Sequence, residues 1–118
     1  VSKLAESLLF IGKLIDREDS PYSKNIDEPT PLEEKCRLVE EVKEKFIADL
    51  CECGVSFITC NVAWDIAERI EGADEGLNKG FLHTVLNYIE ILENYYYDIQ
   101  NEFNAKLRDI VEGKKYNL

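Results

Sequence analysis

A chain of 118 residues has room for one domain with its own core, and 45% hydrophobic against 32% charged content excludes a disordered tail. A formal charge of −10 with a sequence pI near 4.6 argues against direct nucleic-acid binding and against an anionic membrane surface, because neutralising phosphates takes clustered Lys and Arg. The same acidity favours basic partners. No uncharged apolar run is long enough to cross a bilayer, and a basic start followed by an apolar signal core is missing, so neither a membrane span nor an export signal is expected.

The first helix is predicted from Leu4, Leu8, Ile11 and Ile15, which recur on one face with Leu14 beside them while Lys3, Glu6, Lys13 and Asp16 stay polar. It should end near Arg17 to Asp19, because Ser20 precedes Pro21 and a residue before proline avoids helical geometry. Ser20 to Pro31 reads as a surface connection with Tyr22 and Ile26 as its candidate anchors.

Thr30-Pro31-Leu32-Glu33 predicts the next helix start: Thr30 as N-cap, Pro31 at the first helical position and Glu33 completing a capping box. Its apolar line runs Val39, Phe46, Leu50, Cys53, Phe57, Cys60 and Trp64. The polar face changes sides along the way. Glu41, Lys45, Asp49, Glu52 and Ser56 share one stripe, whereas Asn61, Asp65, Glu68 and Arg69 lie on the opposite side. Two readings follow: a break near Gly54, giving four helices, or one straight helix wrapped by its neighbours.

Cys36, Cys51, Cys53 and Cys60 all fall within helical, otherwise apolar pattern and read as buried free thiols, which places the protein in a reducing, cytoplasmic setting. On an unbroken helix Cys53 and Cys60 stand about 10 Å apart, too far for a disulfide or a shared metal. Gly72 to Gly80 predicts a turn with Asp74 or Asn78 as the next N-cap. The last helix aligns Leu82, Val85, Ile89, Leu92, Tyr96, Ile99, Phe103 and Ile110 on one stripe and stops near Gly113.

The fold class is therefore all-α, an up-down bundle of three long helical stretches, with the second broken near Gly54 as the four-helix variant, in a single domain over residues 1–118. Length sets a further constraint. The first helix spans about 25 Å and the last nearly 50 Å, at about 1.5 Å per residue, so the first leaves part of the last uncovered. A second copy of the chain is the expected cover, which makes the protein a homo-oligomer.

Glu40-Glu41-Val42-Lys43-Glu44 and Glu71-Gly72-Ala73-Asp74 resemble the EExxE and ExxD segments of the all-helical MazG-like nucleotide pyrophosphohydrolases. The resemblance covers those two segments, with Gly72 standing where the pattern expects helix. It implies magnesium held by Glu40, Glu41, Glu44, Glu71 and Asp74 against the phosphates of a nucleotide. The alternative is a solvated acidic face. His83 is the single histidine and reads as a surface or boundary residue, without the companions of a phosphorelay or catalytic histidine. Glycine-rich phosphate loops and paired C-x-x-C zinc spacing are absent, and no cofactor is expected.

Tyr95-Tyr96-Tyr97 cannot all face one core. Tyr88, Ile91 and Tyr95 form a second line flanked by Glu90, Glu93, Asn94 and Asp98, the composition of a protein interface; packing under the first helix or a second subunit is the competing reading. The sequence ranks functions rather than naming one. First is a protein-binding module, of inhibitor, immunity or adaptor type, that masks a basic partner through Tyr88, Ile91, Tyr95, Tyr97, Glu90 and Asp98. The pyrophosphohydrolase and a structural homodimer subunit follow.

Overall fold

A computed structural model of the chain describes residues 3–23, 31–71 and 79–113. These residues form four helices: α1 (Lys3–Asp16), α2 (Leu32–Glu52), α3 (Phe57–Glu71) and α4 (Lys79–Val111). No strand occurs among them, and no helix among them is long and apolar enough to cross a membrane.

The expected long second helix is two helices, and the break is a backbone device. Gly54 adopts φ +97°, a left-handed conformation that costs an ordinary L-residue about 1–2 kcal/mol. Its N–H donates to Cys51 O at 3.0 Å and the N–H of Val55 donates to Leu50 O at 3.0 Å, the paired bonds of a Schellman motif. Val55 and Leu50 are both buried, matching the apolar contact that accompanies this cap. The change of polar face therefore reflects two helices set at a new angle. Phe57, expected on the continuous apolar line, is instead 64% exposed, because the line does not continue through the turn.

The start of α2 also differs by one residue. Pro31 has φ −58° and ψ 146°, so it is the N-cap, its carbonyl accepting from Lys35 N at 3.0 Å; no side chain caps this end. Thr30 and Ile26 lie outside the described residues, as do Asp74 and Asn78.

α1 runs antiparallel to α4. Asp16 at its end meets His83 near the start of α4, with Nε2 2.8 Å from Oδ1, and Lys79 Nζ donates to Asp16 O at 3.2 Å. α3 packs on α4 and runs antiparallel to it, since Thr84 Oγ1, near the start of α4, donates to Glu71 Oε1, at the end of α3, at 3.0 Å. The core lies where these helices overlap. Leu8, Ile11 and Ile15 of α1 are buried with Val42, Phe46, Ile47 and Leu50 of α2, Cys60, Ala63, Trp64 and Ala67 of α3, and Phe81, Leu82, Val85, Leu86 and Ile89 of α4. Tyr22 joins them. It is 1% exposed, packs edge-on against Phe46 at 5.1 Å between ring centroids and donates to Asp49 Oδ2 at 2.7 Å, so the segment after α1 is pinned to α2.

Two substitutions separate the packing from the turn. Trp64→Ala should destabilise the fold by about 3–5 kcal/mol, as expected for a large core aromatic. Gly54→Ala should cost about 1–2 kcal/mol through its φ alone, because an added Cβ meets nothing within 4 Å. Urea unfolding followed by far-ultraviolet circular dichroism measures both; equal losses would contradict this assignment.

Candidate interaction surface

α4 is one unbroken helix of 33 residues, whereas α1 has 14 and α3 has 15. Neither short helix can follow α4 to its end. Accessibility changes accordingly along the predicted stripe: Leu82, Val85 and Ile89 are buried and Leu92 is half-buried, but Tyr96, Ile99, Phe103 and Ile110 are 44%, 46%, 62% and 60% exposed. Leu107 and Val111 are also open beside them. The sequence reading did not single out these last two, although Leu107 lies one turn beyond Phe103.

Of the six residues expected to form a contact set, Tyr88 is half-buried against the core, while Ile91, Tyr95 and Tyr97 are exposed, as are Glu90 and Asp98. They do not gather on one face. At about 100° per residue, Tyr88, Ile91, Tyr95 and Asp98 line one flank of the stripe, whereas Tyr97 lies about 200° from Tyr95 and shares the other flank with Glu90. The Tyr95 and Tyr96 rings pack obliquely with centroids 6.0 Å apart, linking the first flank to the stripe. The result is a projecting apolar helix with tyrosines and carboxylates on both sides.

The acidic segments of the pyrophosphohydrolase pattern stand apart. Glu40 and Glu44 line a groove with Lys43, Phe57 and Asn61, at the start of α3. Glu41 accepts from Arg37 at 2.6 Å. Glu71 lies at the far end of α3, about 21 Å from Phe57 by helix rise, and Asp74 lies outside the described residues. Among the described residues no group of three or more His, Cys, Asp or Glu side chains gathers around a common point. His83 is partly exposed and hydrogen-bonded to Asp16 beside an apolar groove lined by Leu8, Leu9 and Leu86.

The cysteines divide. Cys60 is buried, Cys51 and Cys53 are half-buried, and Cys36 is exposed, contrary to the expectation that all four are buried. α2 packs along its second half, and its first two turns around Cys36 are open to solvent. The turn at Gly54 also changes the thiol geometry, because it folds α3 back and sets the Cys60 thiol within electrostatic reach of Cys51. Burial, with Cys51 second, pushes the Cys60 thiol up to about 12. Burial likewise raises Tyr22 above its ordinary value, assisted by its hydrogen bond to Asp49.

Compared with known protein families, curated proteins and solved structures, the chain matches none.

Both raised groups make stability fall in alkali. Each holds its proton in the fold beyond the pH at which the unfolded chain releases it, so their contribution is complete below the ordinary values of 9.0 for Cys60 and 10.0 for Tyr22 and is lost as pH rises above them. The urea midpoint should decline between pH 9 and 11, and less steeply in Tyr22→Phe. At pH 7 that variant should be about 1–2 kcal/mol less stable, because Asp49 loses its donor. A midpoint flat across this range would refute the assignment.

Proposed function

We propose that the chain is a protein-binding module, of the inhibitor, immunity or adaptor type, that masks a basic partner through the flank of α4 formed by Ile91, Tyr95 and Asp98. One observation carries the reading: the distal half of α4 extends past α1 and α3 and exposes large apolar side chains beside carboxylates. Tyrosine supplies contact area at small entropic cost, and a desolvated aromatic is the usual energetic centre of an interface.

The formal charge of −10 supplies the selectivity. It accelerates encounter with positive surfaces and opposes nucleic acid and anionic membranes. The setting is a reducing compartment such as the cytosol, a reading supported by Cys36 standing free and exposed on α2.

Affinity purification with the tagged chain should retain a basic protein whether or not magnesium is present. Its affinity should fall about tenfold or more in Tyr95→Ala and should weaken with added salt. Equal retention by Tyr95→Ala, or retention of acidic proteins alone, would overturn the proposal. Release of pyrophosphate from nucleotides with magnesium, lost in Glu41→Gln, would replace it with the pyrophosphohydrolase reading.

A further inference from the structure

The stripe of α4 has a stricter order than helical amphipathicity requires. From Leu82 the positions Val85, Ile89, Leu92, Tyr96, Ile99, Phe103, Lys106 and Ile110 follow at alternating spacings of three and four, the a and d positions of a heptad. Its first half, through Ile89, is buried in the chain's own bundle, so the same seam is satisfied internally at one end and open at the other. Tyr96, Ile99, Phe103, Leu107 and Ile110 together expose roughly 500 Å², within the range of the largest apolar patch a monomer usually leaves. Two such surfaces face to face remove about 1,000 Å² from water, the least that a specific interface should clear.

We propose that the occupant of this seam is a second copy of the chain, lying antiparallel about a two-fold axis near residue 101. The inference goes beyond the partner-binding reading and uses a different face of the helix. In this register Leu92 meets the partner subunit's Ile110, Ile99 meets the partner subunit's Phe103, and Tyr96 meets the partner subunit's Lys106, with every a position facing a d position. The symmetry operation repeats each pair.

Two features select the antiparallel direction. A parallel seam sets Lys106 against its own copy at a core position, one ammonium group facing another, whereas the antiparallel seam lays the lysine stem over a tyrosine ring. Lys106 Nζ is already 3.6 Å from Glu102 Oε1 at the rim, so its charge keeps a partner there. The charge along the helix is also polarised. Residues 90–102 carry Glu90, Glu93, Asp98 and Glu102 and no base, whereas residues 103–113 balance Lys106 and Arg108 against Asp109 and Glu112. Antiparallel copies place the acidic length beside this neutral length; parallel copies place four carboxylates beside four carboxylates.

Length supports the same choice. α1 reaches along α4 to Glu90, with which Ala5 shares a groove, so two bundles side by side would compete for one space, while antiparallel copies hold them at opposite ends.

Sedimentation equilibrium of the intact chain at micromolar concentrations should return the mass of a dimer. Phe103→Glu, a change at a residue 62% exposed in the single chain, should raise the dissociation constant about a hundredfold while leaving the helical spectrum unchanged. Direction is read by single cysteines and a short bis-maleimide, scored above the wild-type background from Cys36. Gln100→Cys lies beside the axis and should cross-link to its copy. Glu112→Cys should not, since its copy stands about 33 Å away by helix rise. A monomeric wild type overturns the proposal and leaves the stripe to a different protein; a dimer that survives Phe103→Glu, or cross-linking at both positions, overturns it as well. A monomer that still loses a basic partner on Tyr95→Ala would sink this inference and spare the previous one.

Discussion

Four aromatic rings hold the described elements together. Tyr22 packs on Phe46 at 5.1 Å, Phe46 on Trp64 at 6.3 Å and Trp64 on Phe81 at 4.9 Å, the first and last pairs edge to face. Each ring comes from a different part of the chain: the segment after α1, then α2, α3 and α4. None is more than 1% exposed. Edge-to-face geometry adds direction to burial, so the row fixes how the elements meet as well as how much surface they hide. The hydroxyl at one end of the row is buried and needs a partner; Asp49 supplies it, and Asp49 is itself held by Lys45 at 3.1 Å.

Because the row lies where the four elements overlap, the core is concentrated in one part of an elongated molecule measuring 67 × 30 × 18 Å. Burial along α4 fades at the half-buried Leu92 and Glu93, and the helix is exposed from Asn94 to Arg108. The next turns of α4 must meet water or another molecule. Isolated helical turns are marginal in water without packing, so the continuation of α4 to Val111 depends on the nucleus formed by its buried first half.

Much of this was legible in the residues because helical period is a local property. The face of α1, the all-α class and the stop at Gly113 followed from spacing and cap chemistry, and Gly113 has the positive φ of 77° that its role requires. The shift of polar residues between Asp49 and Asp65 carried the break at Gly54, but two geometries shared that signal. Only tertiary packing distinguishes them, since the Schellman cap is secured by burying Val55 on Leu50. Cys36 and Phe57 were misplaced for a related reason. Periodicity shows that an apolar residue lies on a stripe, and it does not show how far along the stripe a neighbour extends. The contact set on α4 erred differently: i and i+3 spacing gathered Tyr88, Ile91 and Tyr95, whereas the same period on the expected unbroken helix sets Tyr97 about 200° from Tyr95, on the opposite flank.

The acidity and the open stripe act against each other, and their balance is a filter on partners. An apolar face of this size would associate promiscuously on a neutral protein. At a formal charge of −10 every encounter between copies begins with repulsion, so arrangements that set the neutral end of α4 beside its acidic length carry the smaller electrostatic penalty. A foreign partner meets the same condition in another form: to reach Tyr95 it must tolerate Asp98 and Glu102 on the same flank, and a basic surface does so favourably. The carboxylates thereby act as negative selection at the rim while the tyrosines and leucines provide the contact, and both operate through the segment of α4 that its own bundle leaves uncovered.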